Sequence, residues 1–221
     1  MADDDAHWLA CWAQGDQDAG RQLYRRYCDR ITDFIARKTD RDVADLVQRT
    51  FMQCLNAAKA RDAKIDNPRA YLYRVARNEL FDHFRAGTTS DALDPAVTSL
   101  AELGPGPASH AVRNQQLQRL LTALRTLPLD DQVAIELHYW EGLTMADVAV
   151  VLGVGRSAAL SRVHRAREKI RTALEALGAT AASAEATVTN FEAWKEKLRS
   201  DDASSVYSPA PGDEPGHEGT A

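Results

Sequence analysis

At 221 residues, with 44% hydrophobic and 27% charged side chains, the chain is ordinary globular material with room for one or two cored domains. No apolar run approaches the roughly 20 residues of a membrane span, and the acidic start MADDDAHWLACW lacks the basic region of a secretory signal, so a cytoplasmic protein is expected. The formal charge of -5 comes wholly from the segment after Leu177, where eight acids face three bases, so local clustering decides whether the rest can bind nucleic acid.

From Asp16 to about Arg85 the pattern is helical, with room for three or four helices. Leu23, Tyr27, Ile31, Phe34 and Ile35 recur at helical spacing, as do Val43, Leu46, Val47, Phe51, Met52 and Leu55. Cys11, Cys28 and Cys54 form no CxxC pair, so neither a disulfide nor a zinc site is expected. The last of these helices opens near Pro68, a favoured first-turn residue, with Asn67 as its cap. In NPRAYLYRVARNELFDHFR, placing Leu72, Val75 and Ala76 inward leaves Arg74, Arg77, Asn78, Phe81 and Arg85 on the outer side. Tyr71 and Tyr73 add to the aromatic supply. Rings among arginines suit unstacked bases, which stack while the cations hold the backbone. Any one of these aromatics is better explained as core; the set together points to nucleic acid.

Between Ala86 and about Ala111, GTTSDALDPAVTSLAELGPGPASHA carries three acids and no base, the texture of a linker. Helical pattern resumes at Val112 and runs to about Leu177, broken at Pro128, with Asp130 or Asp131 placed to cap the following helix. Gly142 to Arg171 reads as a helix-turn-helix around a Gly-Val-Gly turn. Its first helix has Thr144 as N-cap and Val148, Val151 and Leu152 for packing. In the second helix we expect Leu160, Val163, Ile170 and Leu174 to face inward. Arg162, Arg165 and Lys169 then form a stripe opposite, flanked by Ser157 and Ser161, with Arg156 at the start. Six bases against one acid, Glu168, is too lopsided for a solvated surface helix that mixes signs for i,i+4 pairing. Arginine can bind guanine O6 and N7, and Ser or Lys can hold phosphates.

Three blocks together make the chain resemble the extracytoplasmic-function sigma factors, the small promoter-recognition subunits of bacterial RNA polymerase. They are DVADLVQRTFMQCL (Asp42 to Leu55), NPRAYLYRVARNELFDHFR, and the LP…GLTMADVAVVLGVG…SRVHRARE pattern (Leu127 to Glu168), within a match from about Gly15 to Leu177. The resemblance implies an all-α protein of two small helical domains joined by a flexible linker. Residues 1–86 would form region 2, 87–112 the acidic linker, 113–177 the region 4 helix-turn-helix, and 178–221 a mostly disordered extension with a short helix near 189–199. It also implies roles. Asp45, Gln48 and Phe51 would dock on the β′ clamp helices of core polymerase. Tyr71, Arg74, Arg77, Asn78, Phe81 and Arg85 would read the minus-ten element, with a flipped base held in the loop of about Arg61 to Asn67. Arg156, Ser157, Ser161, Arg162, Arg165 and Lys169 would bind the minus-thirty-five duplex, and the linker would thread the RNA exit channel beside the β subunit.

The chain departs from the family pattern in two places. Arg49 stands where an acid is usual, and Ala158, Ala159 and Leu160 replace polar residues at the start of the recognition helix, shifting readout toward arginine and DNA shape. In the tail, Phe191, Trp194 and Leu198 share one helical face, as a helix that docks on the chain's own domains or on a partner. Regulation by an anti-sigma protein and by the extension itself both stay open. A stand-alone regulator, with the N-terminal helices sensing a ligand or dimerising, is the alternative. No cofactor is expected, and no catalysis: His138 with Glu141, and Asp82 with His83, lack a completing ligand set or nucleophile.

Overall fold

A computed structural model describes residues 2–60, 65–87, 94–102 and 115–194. Among these residues the protein is all-α, as expected, with one isolated bridge between Ser99 and Pro128.

The N-terminal set begins earlier than its apolar spacing suggests. Helix α1 (Ala2–Ala13) lies against α2 (Gln17–Ala36) and buries Leu9. The two helices touch closely where α2 has Gly20: a Cβ there would come within 2.6 Å of the Trp12 indole. Asp5 of α1 accepts hydrogen bonds from the Tyr27 hydroxyl and from Arg26 Nη1, the latter at 2.6 Å. Helix α2 starts because the Asp16 carboxylate accepts the Asp18 and Ala19 N–H groups at 2.9 and 3.1 Å. Helix α3 (Val43–Lys59) buries Leu46, Val47, Phe51, Cys54 and Leu55. Helix α4 (Pro68–Ala86) opens as the sequence indicates, with Asn67 Oδ1 accepting the Ala70 N–H at 3.0 Å and Pro68 in its first turn.

The C-terminal set is α5 (Gln115–Arg125), α6 (Leu129–Ile135), a π-helical turn (Glu136–Trp140), α7 (Met145–Leu152) and α8 (Arg156–Ala176). Helix α7 carries a full capping box: Thr144 Oγ1 accepts the Asp147 N–H, and Asp147 Oδ2 accepts the Thr144 N–H, both at 3.2 Å. It ends on Gly153 at φ 68°, the left-handed cap that turns the chain toward α8. Helix α6 differs from expectation. Its cap is Pro128 without a side-chain bond, and Asp130 and Asp131, expected as caps, lie in the first turn with their carboxylates turned toward basic side chains.

The linker and the tail also differ from expectation. The linker is not featureless where it is described. Leu100 is fully buried; the Ala101 N–H donates to the Arg125 carbonyl at 2.9 Å, and the Leu129 and Asp130 N–H groups donate to Thr98 and Pro95 carbonyls at 3.1 and 2.9 Å. Residues 88–93 and 103–114 lie outside the described residues. In the tail, helix α9 (Ala181–Thr189) starts well before residue 189 and packs on α8 through Ala184 and Val188. Phe191 and Trp194 are buried. The Phe191 ring stacks on Tyr139 at 5.3 Å, and its carbonyl accepts the Trp140 indole N–H at 3.0 Å. The extension therefore docks on the chain's own helices; Leu198 and all residues from 195 lie outside the described residues.

The two sets do not stand apart. Helix α4 packs against α7, and one apolar core runs through both.

Candidate nucleic-acid and polymerase interface

Charge joins the two helical sets at two points. At the end of α2, Arg37 Nε and Lys38 Nζ both donate to Glu136 Oε2, at 3.0 and 2.8 Å, while Gln132 Nε2 donates to Oε1 at 2.7 Å. Glu141 adds a second carboxylate 3.8 Å from Arg37. The side chains of Lys38 and Glu136 are wholly buried. Burial pushes the Glu136 carboxyl up, but Lys38 and Arg37 more than reverse this and leave it below its ordinary value. Burial takes Lys38 the other way, down to about 8, against the opposing pull of Glu136.

The second joint engages residues expected to touch DNA. Asp130 receives Arg77 Nε of α4 at 2.6 Å and has Arg162 Nη1 of α8 at 3.7 Å. Asp131 receives Arg162 Nη1 at 3.1 Å and Lys169 Nζ at 2.8 Å. Two adjacent carboxylates of α6 thus hold three cations from two helices. At the open end of α4, Asn67 Nδ2 donates to Asp147 Oδ1 at 2.7 Å and Arg69 donates to the Glu141 carbonyl.

On α8 the exposed residues include Arg156, Ser157, Ser161 and Arg165. The packed face is Ala159, Val163, Ala166, Ile170 and Leu174. This corrects the assignment of Leu160: it is 58% exposed. The packed face is turned toward buried Ala159 and Ala166 in a helix that contacts both α6 and α7, a phase that apolar spacing alone does not reveal. Arg162 is turned toward α6 and is half-buried, while Lys169 stays exposed and reaches Asp131 with its ammonium.

On α4, Leu72, Val75 and Ala76 are inward as expected, and Arg74, Asn78 and Arg85 are exposed. Phe81 is not the open ring the sequence suggests. It is half-buried against the core, as is Tyr71, while Tyr73 is fully buried with its ring 5.4 Å from Phe34. The loop expected to hold a flipped base is described only from Ile65; residues 61–64 lie outside the described residues.

On α3, Asp45 and Gln48 are exposed. Phe51 is only 3% exposed and is a core residue, which removes it from any surface contact. What the sequence reading missed lies above it. Tyr24, 45% exposed, sets its ring 4.8 Å from Phe51, and Met52 is 47% exposed. Met52 lies one turn after Gln48 and opposite Val43 on the helix, the signal that sets it apart from the apolar stripe; Tyr24 gives no such signal, since helical period places it beside Ile31 and Ile35. Arg49, the departure from the family pattern, bridges Asp45 at 3.3 Å and the largely buried Glu79 of α4 at 3.0 Å.

Residues 21–89 match the family described as Sigma-70 region 2, and residues 117–170 that described as Sigma-70, region 4. The RNA polymerase sigma factor NccH of Alcaligenes xylosoxydans xylosoxydans is 32% identical over 175 residues, covering 74% of this chain and 90% of NccH. The chain belongs to the extracytoplasmic-function sigma factors. RfaY of Xanthomonas campestris pv. campestris, named a probable RNA polymerase sigma factor, is 29% identical over 76% of this chain but only 43% of its own length. A solved structure of CnrH in complex with the cytosolic domain of CnrY superposes with a TM-score of 0.58 at 28% identity, covering 78% of this chain and 98% of CnrH. A sigma factor with both regions in this order leaves the stand-alone regulator without support. Among the described residues, no group of His, Cys, Asp or Glu could hold a metal ion, and no helix is long and apolar enough to cross a membrane. His138 faces the Leu143 carbonyl at 3.1 Å, and Glu141 faces Arg37, both within the fold's own contacts.

Proposed function

We propose that this sigma factor, acting in the cytoplasm on a stress or signal regulon, docks on the β′ clamp helices of core RNA polymerase through the outer face of α2 and α3 and reads a promoter at two places. Asp45 and Gln48 are the polar contacts of that docking face, with exposed Tyr24 and Met52 beside them and Phe51 supporting Tyr24 from below. The linker follows the RNA exit channel beside the β subunit. Region 2 corresponds to residues 1–86 and region 4 to residues 113–177. In α4, exposed Arg74, Asn78 and Arg85 hold the melted minus-ten strand. Arg77, Tyr71 and Phe81 join them only after the Asp130 contact opens and the rings turn outward. In α8, Arg156, Ser157, Ser161 and Arg165 enter the minus-thirty-five major groove, and Arg162 and Lys169 serve the flanking phosphates once Asp131 releases them.

The observation that carries this reading is the outer face of α8. Behind a fully capped first helix and a left-handed glycine turn, its exposed N-terminal half carries Arg156, Ser157, Ser161 and Arg165 with no acid before Glu168. No covalent step is required of the chain. Melting draws on binding: unstacking one flipped base costs a few kcal/mol, offset by pocket contacts and by polymerase. An anti-sigma protein and the docked extension remain the two candidate regulators.

The polymerase face has a direct test. Asp45→Ala combined with Gln48→Ala removes two exposed polar side chains and the exposed Asp45–Arg49 ion pair, so helicity and melting temperature should change little. Affinity for core polymerase, measured by fluorescence anisotropy of the labelled chain, is expected to fall about tenfold, matching ~1.4 kcal/mol for a pair of polar interface contacts. Unchanged affinity would move the docking face elsewhere.

A further inference from the structure

We propose that Leu160 selects a thymine in the minus-thirty-five element by apolar contact with the base's 5-methyl group. The proposal rests on the reading of α8 as the promoter-facing helix. Leu160 is 58% exposed, the one large hydrophobic side chain of α8 left in solvent. The packing of α8 is complete without it, through Ala159, Val163, Ala166, Ile170 and Leu174.

Its neighbours say what it can meet. One helical turn away on either side are Arg156, Ser157 and His164, all exposed. A recognition helix presents its N-terminal residues to base edges, and Leu160 is the fifth residue of α8. The major-groove edges of the four base pairs offer donors, acceptors and one apolar group, the thymine methyl. Arg165 and the serine hydroxyls can read the polar groups. Leu160 can read only the methyl, and against a cytosine or purine edge it would cover a polar group with nothing to hydrogen-bond it. Ala158 is also apolar, but it projects about 160° away around the helix and is two carbons shorter in reach. The two residues therefore do not face the same base, and Leu160 carries its own position in the promoter.

The test uses the full chain bound to core RNA polymerase. Holoenzyme is first allowed to select from a duplex library with a randomised upstream element. Each thymine of the selected element is then replaced singly by deoxyuracil, which removes only the methyl, and binding is measured for the natural chain and for Leu160→Ala. One position should lose about fourfold in affinity for the natural chain, the equivalent of ~0.8 kcal/mol for one buried methylene-sized group. At that position Leu160→Ala should bind thymine and uracil equally, with unaltered melting temperature because the side chain is exposed. A selected element without a methyl-sensitive thymine, or a methyl effect that persists in Leu160→Ala, overturns the proposal. Arg165→Ala is the separate control for the reading beneath it. A holoenzyme that selects no sequence, or that is indifferent to Arg165→Ala, overturns α8 as the promoter-facing helix, and the Leu160 contact falls with it.

Discussion

Glu136→Gln is expected to lower the thermal midpoint by roughly 10 °C. The substitution keeps the shape of the side chain but leaves Arg37 and Lys38 buried without the carboxylate that both of them grip. Removing one partner of a buried ion group costs about 3–5 kcal/mol, and a chain of this size loses about 2–4 °C per kcal/mol. Replacing Arg37, Lys38, Glu136 and Glu141 together by apolar residues of similar volume should recover most of the loss, because no charge of the group is then stranded. The group also has a pH signature. Lys38 has its folded pKa depressed from 10.5 to about 8. Above pH 8 the folded chain sheds this proton while the unfolded chain keeps it up to about 10.5, so the contribution of Lys38 to stability rises with pH across that window, by on the order of 3 kcal/mol. Glu136, held below its ordinary value, supports stability at neutral pH and withdraws that support only as pH falls through its lowered folded pKa. Urea titrations at pH 7.5 and 10 should show the natural chain gaining stability relative to Lys38→Met; the comparison isolates Lys38 because Cys54, Tyr27 and Tyr73, whose pKa values burial raises, withdraw stability from both chains over the same range. A Glu136→Gln chain that melts where the natural one does would mean that the two helical sets are not joined here.

Asp130→Asn combined with Asp131→Asn is expected to strengthen binding of the free chain to duplex DNA by about tenfold at low salt. The two carboxylates hold Arg77, Arg162 and Lys169, three of the cations expected to meet promoter DNA. Neutralising them frees those cations for phosphates, and each new phosphate contact releases a counterion. The slope of log affinity against log salt should therefore steepen by about 2 to 3. Loss of two negative charges anywhere raises affinity somewhat, so Glu185→Gln with Glu192→Gln, two exposed acids of the tail, is the control. The control should alter the slope by less than one. Equal slopes for the two double variants would show that Asp130 and Asp131 do not hold back the cations proposed to meet DNA.

Local chemistry was readable in the sequence, and distant geometry was not. The Asn67 cap with Pro68 and the Thr144 cap of α7 involve residues within one helical turn, and both are present. The exposure of Arg74, Asn78, Arg156 and Arg165 follows from helical period and polarity alone. Leu160 was misplaced because the phase of α8 is set by which neighbours it packs on: Ala159 and Ala166 are on the buried face, and the leucine is left outside. Phe51 and Phe81 carry expected contact roles, yet Phe51 is core, as its place in the apolar stripe of α3 also suggests, and Phe81 lies half-buried against the core. The ion groups were out of reach for another reason. Arg37 and Glu136 are 99 positions apart, Arg77 and Asp130 are 53 apart, and no periodicity links such pairs. The same distance concealed the extension: its aromatic spacing was visible, but that Phe191 lands on Tyr139 and Trp140 depends on the folded surface.

As a sigma factor the chain is expected to read promoters as a subunit of polymerase and not by itself. Reconstituted run-off transcription measures this most directly, with core RNA polymerase, the full chain, and a duplex template carrying an element selected by the holoenzyme. Transcripts from one defined start are predicted only when core and chain are both present, with the chain alone binding that duplex weakly and Arg165→Ala reducing the transcript about tenfold or more. Tight binding of the duplex by the chain alone, with no defined start when core is added, would contradict the account.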